Sequence, residues 1–290
     1  MEIKTFGSRG VSCQVNAIDD GFRLLGHTIV KEGYVDFIYS NDSSHHEEAI
    51  KYQQENGGKI ILNTLDLPPH MIENGQFNLD KAKETLDKAN ALTVISNTVS
   101  VQLKTYLGLD SKVIYNPAKE VGEIPGMYQG TNNLKFLMLG RVNDPNKNFN
   151  LVRQLMDKYF SQNQLVVVGS EDPKYGKYAG LVSDNHLNFY YNQCDFVLQP
   201  SSFEGMGLSP IESLICGKPV ITLSKNPAAM EFTPEFCGDD NVDSMYAKIE
   251  DIINNEEYYK KTIKNYQSKY ASQFHKVSVA QNIMNVFESL

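Results

Sequence analysis

Apolar residues along the chain fall into short runs separated by stretches with helical spacing. VDFIY (35–39), KIIL (59–62), ALTVI (91–95) and KVIY (112–115) read as buried strands. Between them SHHEEAIKYQQ (44–54), LDKAKETLDKA (79–89) and TVSVQLKTYL (98–107) place apolar residues on one helical face. Such alternation predicts a mostly parallel sheet wrapped by helices. The character changes over residues 116–133, NPAKEVGEIPGMYQGTNN, which lack apolar periodicity and read as a linker. The pattern then restarts. LKFLMLG (134–140), QLVVVGS (164–170), DFVLQP (195–200) and KPVITL (218–223) predict strands, with an amphipathic helix over 148–160. Helices follow from Val242 to the end.

The expectation is α/β: two doubly wound Rossmann-like domains facing a cleft. Residues 1–118 would form the first and 134–275 the second, with a C-terminal helix over 276–290 packing back on the first. Ligands of open α/β sheets bind beyond the carboxyl ends of the strands, so the cleft is the expected site.

Composition narrows the function classes. Lys and Arg number 11 against 15 Asp and Glu in residues 1–118, and 16 against 20 in 119–290, so each half carries −4. An even negative balance disfavours broad binding to a phosphate backbone, which needs clustered Lys and Arg. Cys13, Cys194, Cys216 and Cys237 form no C-x-x-C pair and read as free thiols of a reducing compartment. The start, MEIKTFGSRG, has no signal-peptide apolar core, and no apolar run approaches the roughly 20 residues of a membrane helix. A cytoplasmic protein is expected.

Two segments hold candidate chemistry. In SSFEGMGLSPIESLICGKPV (201–220), Ser209 reads as a helix N-cap, Pro210 as the first helical residue and Glu212 as the N3 partner of a capping box. Gly217 would then lie just past the helix end. Locally, Glu212 needs no further role, and Glu204 is accounted for as a loop carboxylate. The alternative is a ligand site. Gly205 and Gly207 permit close backbone approach, and the following helix start favours an anion such as phosphate. A carboxylate at each end of that loop could accept hydrogen bonds from sugar hydroxyls. In GRVNDPNKN (140–148), Arg141 and Lys147 follow a strand on the same sheet edge and could offset a diphosphate without a metal. Alone they would read as two solvated loop cations.

The first segment resembles the E-x7-E signature of retaining glycosyltransferases of family 4, which have the GT-B fold. FLMLGRVNDPNKNFNLVRQL, VISNTVSVQLKTYLGLDSKVIYNPA and GFRLLGHTIV resemble further elements of that family, in family order and across most of the chain. The resemblance implies transfer of a sugar from a nucleotide-diphosphate sugar, with a UDP-sugar favoured, to an acceptor hydroxyl, with retention and without metal or other cofactor. Glu212 would bind the donor ribose and Glu204 the transferred sugar. Arg141 and Lys147 would hold the diphosphate, supported by Gly205, Met206, Gly207 and Leu208, with Gly10 approaching from the first domain. Arg141, Lys147 and Glu204 would be the catalytic set. Family members carry a His-Asp pair after an early strand. Here ILNTLDLPPH has Leu65 before Asp66. His70 is the candidate substitute, beside its reading as a surface loop histidine. His45 and His46 read as a helix start.

The acceptor stays open among a saccharide, a glycolipid and, as for a viral-type enzyme, DNA carrying hydroxymethylated cytosine. Lys81, Lys83 and Lys88 would supply one basic helix face for DNA, diluted by Asp80, Glu84 and Asp87. A non-catalytic nucleotide-sugar-binding protein is a further reading.

Overall fold

The apolar runs become two separate six-stranded sheets, every strand pairing in parallel. The computed structural model describes residues 1–7, 14–67, 69–124 and 133–290; Gly10 and Cys13 lie outside them. The chain divides into unit 1, Met1–Pro117 with Gln273–Leu290, and unit 2, Ala118–Ser272.

Unit 1 runs β1 (Glu2–Phe6), α1 (Gln14–Leu24), β2 (Thr28–Ile29), β3 (Phe37–Ser40), α2 (His46–Asn56), β4 (Lys59–Thr64), α3 (Pro69–Glu73), α4 (Leu79–Leu86), β5 (Ala91–Val94), α5 (Asn97–Leu107) and β6 (Lys112–Val113). Its sheet order is β2-β1-β3-β4-β5-β6, in register Ile3 to Phe37 and Ile38 to Ile60. All four residues of β3 are buried, as expected when helices cover both faces of a parallel sheet. Local chemistry sets the helix ends. Ser96 accepts from the Val99 N–H at the start of α5, and Gly108, left-handed at φ +70°, closes it.

Unit 2 runs β7 (Phe136–Leu139), α6 (Phe149–Tyr159), β8 (Leu165–Val168), β9 (Lys177–Gly180), α7 (Asp184–Gln193), β10 (Phe196–Leu198), α8 (Leu208–Ile215), β11 (Val220–Leu223), α9 (Pro227–Phe232), β12 (Cys237–Gly238), α10 (Val242–Asn254) and α11 (Glu256–Gln273). The order β12-β11-β10-β7-β8-β9 puts the unit's first and fourth strands side by side at the sheet centre. That is the switch point of a dinucleotide-binding fold, where the connections diverge and leave a crevice. The expected linker is partly built into this unit. The Gly122 and Ile124 N–H groups donate to the side-chain oxygens of Asn188 and Asn192 on α7 at 3.0 and 2.8 Å. These amides hold an extended segment that has no apolar side-chain pattern of its own.

The last helix, α12 (Lys276–Glu288), returns to unit 1. Val279, Ala280, Ile283 and Met284 join Ile3, Ile18, Phe22 and Phe37 in one buried cluster. Gly21 of α1 makes the crossing possible, because a Cβ there would stand 2.4 Å from the Lys276 carbonyl oxygen.

Candidate active site

The switch point of unit 2 is built by two loops, one after β7 and one after β10. Asparagines staple them together. The Asn146 side chain donates to the Phe203 carbonyl at 2.7 Å and accepts from the Phe203 N–H at 2.9 Å, while its carbonyl accepts from the Ser202 N–H at 2.9 Å. Asn148 donates to the Pro200 carbonyl and to Ser202 Oγ, both at 2.8 Å. Asn148 is left-handed at φ +51°, a conformation asparagine tolerates better than most residues. Asn146 and Asn148 are positioning residues that sequence reasoning passed over. The signal was present in the three asparagines of GRVNDPNKN, an amide being able to donate and accept at once.

The stapling brings Lys147 Nζ onto Glu204 Oε1. Their side chains are only 15% and 19% exposed, so the reading of Lys147 as a solvated loop cation fails. Gln199 Nε2 reaches the same Glu204 oxygen at 3.3 Å and Ser201 Oγ at 2.9 Å. Gln199 Oε1 is buried and has no partner among the described residues. Arg141 behaves differently. Its guanidinium pairs with Asp144 at 3.0 Å and its side chain is 71% exposed, so it stands on the same loop as an exposed cation.

Between Glu204 and α8 the chain does not form the expected capping box. Gly207 is the N-cap, left-handed at φ +78°, and no side chain caps the helix. The helix begins two residues earlier than expected because glycine enters the left-handed region without steric cost. Pro210 is tolerated at the third helical position, where an N–H has no intrahelical acceptor. Leu208 and Ser209 supply the N–H groups of this first turn. Met206 is buried beneath it. Gly217, at φ +73°, follows the C-cap Cys216, as expected.

Glu212 consequently sits in the second turn of α8 and faces inward. It is 3% exposed. Tyr191 donates its hydroxyl to Oε2 at 2.8 Å, and the Lys119 N–H donates to Oε1 at 3.2 Å. Burial pushes the Glu212 carboxyl above the usual range, against the opposing pull of the Lys119 charge and the Tyr191 hydrogen bond. Burial, followed by the Glu212 charge, raises the Tyr191 phenol well above its usual value. Lys119 Nζ is held by Asp184 at 2.9 Å.

The other candidates belong to unit 1. Asp66 is exposed after β4. His70 lies within α3 and not in a loop; its side chain is outside the description. The expected basic face of Lys81, Lys83 and Lys88 does not form: Lys81 pairs with Glu47, Lys83 with Asp87 and Lys88, just past the end of α4, with Glu84, at 2.8, 2.9 and 3.1 Å. The i, i+4 spacing of the last two makes such pairing the default. Cys194, Cys216 and Cys237 are free thiols. Among the described residues no helix is long and apolar enough to cross a membrane.

Residues 129–269 match the family described as glycosyl transferases group 1. An uncharacterized glycosyltransferase of Methanocaldococcus jannaschii is 22% identical over 97% of this chain and 82% of that protein. A sucrose-phosphate synthase from Thermosynechococcus elongatus superposes with a TM-score of 0.83 at 14% identity, over 100% of this chain and 98% of that one. HepE of Anabaena, solved in complex with UDP and glucose, gives 0.74 at 15% identity over the whole of both chains. At these identities the solved structures speak for the fold, two parallel α/β domains of the GT-B type. With these matches the protein is a glycosyltransferase of GT-B fold, its residues 129–269 being similar to the group 1 glycosyl transferases.

Proposed function

We propose that the protein transfers a sugar from a UDP-sugar to an acceptor hydroxyl, retaining the anomeric configuration and using no metal. The observation that carries this reading is the half-buried Lys147–Glu204 pair beside the uncapped start of α8. A cation, a carboxylate and free N–H groups at one switch point suit a ligand that joins a diphosphate to a sugar.

In this reading Lys147 turns to the diphosphate while Glu204 accepts from the hydroxyls of the transferred sugar. Arg141 swings from Asp144 to the same diphosphate. The Leu208 and Ser209 N–H groups add the partial positive charge of the helix start. Charge grows on the diphosphate oxygens as the glycosidic bond breaks, so cations held in a half-buried site stabilise the transition state more than the ground state. Glu212 serves the donor ribose with the lone pairs that Tyr191 and Lys119 leave unused, since a carboxylate has about four acceptor positions. Retention is proposed on the spacing of Glu204 and Glu212 and their resemblance to E-x7-E. The UDP-bound HepE neighbour supports the choice of nucleotide.

Calorimetry with UDP and UDP-glucose tests the site. Lys147→Ala should weaken UDP binding about tenfold or more, the loss of one charge-assisted contact. Unchanged affinity in both Lys147→Ala and Glu212→Ala would place the donor elsewhere. Activity that survives EDTA, and a product whose anomeric proton matches the donor configuration by NMR, are the expected results for the mechanism.

A further inference from the structure

Gln199 stands directly behind the half-buried ion pair of unit 2. It follows the last residue of β10, at the centre of the sheet, and its backbone N–H donates to the Ile221 carbonyl of β11 at 2.9 Å. The residue is 4% exposed, too deeply placed to touch a substrate itself. Its amide nitrogen carries two hydrogens and commits both. One goes to Ser201 Oγ at 2.9 Å, on a residue that is fully buried, and the other to Glu204 Oε1 at 3.3 Å.

The other end of the same amide is costly. Gln199 Oε1 is buried and has no hydrogen-bond partner among the described residues. A buried acceptor left unpaired lowers stability, and methionine would fill a similar volume without that cost. What the nitrogen holds therefore accounts for a glutamine here better than packing does.

Lys147 Nζ and Gln199 Nε2 both meet Glu204 Oε1, and Oε2 has no hydrogen-bond partner among the described residues. Two donors on one oxygen fix the position of the carboxylate and leave the second oxygen for a sugar hydroxyl. The donors differ in how they are tied. Lys147 stands on the loop after β7 and ends a flexible four-carbon stem. When it turns to a diphosphate, Glu204 loses that cation. Gln199 is held by β11 through its backbone and by Ser201 through its side chain, so it stays in place. Its 3.3 Å bond is long while Lys147 shares the oxygen, and such bonds tighten in the loaded site. Without Gln199, a half-buried carboxylate deserted by Lys147 would turn away toward water.

We propose that Gln199 is a positioning residue for sugar transfer, the fixed donor that keeps Glu204 aimed at the transferred sugar while Lys147 serves the diphosphate. The proposal rests on the reading of Glu204 as the carboxylate for that sugar.

Calorimetry of the full-length protein with UDP, UDP-glucose, UDP-galactose and UDP-N-acetylglucosamine provides the test. The quantity read is the affinity for the best-bound nucleotide sugar relative to that for UDP, which has no sugar. Gln199→Met keeps the length of the side chain and removes the donor. Gln199→Glu keeps the shape and puts a second carboxylate where the donor was. Each should lower the ratio about tenfold, the loss of one hydrogen bond to a charged group, and leave UDP affinity within about twofold. Gln199→Met added to Glu204→Gln should lower the ratio no further than Glu204→Gln alone, because the effect passes through Glu204. A glutamine with only a structural role would weaken UDP and nucleotide sugar alike. The proposal is overturned by a wild-type ratio in both Gln199 variants, by an equal loss for UDP, or by additive losses in the double variant. A wild-type ratio in Glu204→Gln would reject the reading of Glu204, and this proposal with it. A loss in Glu204→Gln with none in the Gln199 variants rejects the proposal alone.

Discussion

At the residue scale, Glu212 and His46 show how burial turns ordinary side chains into instruments. Both are nearly inaccessible, and burial disfavours the charged form of each. Their pH effects have opposite signs. Glu212 has a raised folded value, so its contribution to stability is greatest below the ordinary carboxyl range and is lost as pH rises through the folded value. His46 falls from 6.5 to about 4, so its contribution is complete above 6.5 and is lost as pH falls toward 4. Nearby Asp42 opposes the shift and His45 adds to it. The wild type should therefore lose stability on the acid side, on the order of 3 kcal/mol from His46 across that window. Urea denaturation from pH 7 to 4 should show a flatter profile for His46→Gln. An identical acid limb in both proteins would remove His46 as its source.

At the element scale, two glycines control where helices begin and cross. Gly207 starts α8 early and thereby puts Leu208 and Ser209 in its first turn, with no side chain capping it. Gly21 lets α12 lie against α1. Gly21→Ala would press a methyl group against a backbone carbonyl that no rotamer change can move. It should destabilise unit 1 by about 2 kcal/mol, seen as a lower denaturation midpoint. A midpoint unchanged from wild type would show that the helices can separate at little cost. The strands and helices themselves were legible, because VDFIY, KIIL, FLMLG and KPVITL are apolar on both faces and are bounded by polar turns. The short edge strands β9 and β12 carry no comparable run, KYAG and CG being held by their neighbours' hydrogen bonds and not by their own pattern. The register of α8 was misread. Ser209-Pro210-Ile211-Glu212 satisfies the capping-box spacing, but local spacing cannot reveal that a glycine two residues upstream offers an easier entry.

At the scale of the whole molecule, the chain leaves unit 1 once and returns to it through α12. This predicts the pattern of hydrogen exchange. Amides of Val279–Val286 should exchange with those of β1 and β3, whose side chains share their core, and not with those of α11 next to them in sequence. Protection that follows α11 would contradict the assignment of α12 to the first core. The sequence by itself determined the class of fold, two runs of strand and helix alternation, because buried parallel strands must be written as apolar runs. It also determined which loops carry unusual chemistry, since paired carboxylates, glycines and cations stood at strand ends. Only the tertiary structure decided what those residues touch. Lys147 meets Glu204 through asparagine staples between loops 57 positions apart. Glu212 turns inward to Tyr191, and His46, the first residue of a helix, turns inward to Ser40. Burial and partner choice depend on which strands lie side by side, a property of the folded chain that no local spacing contains.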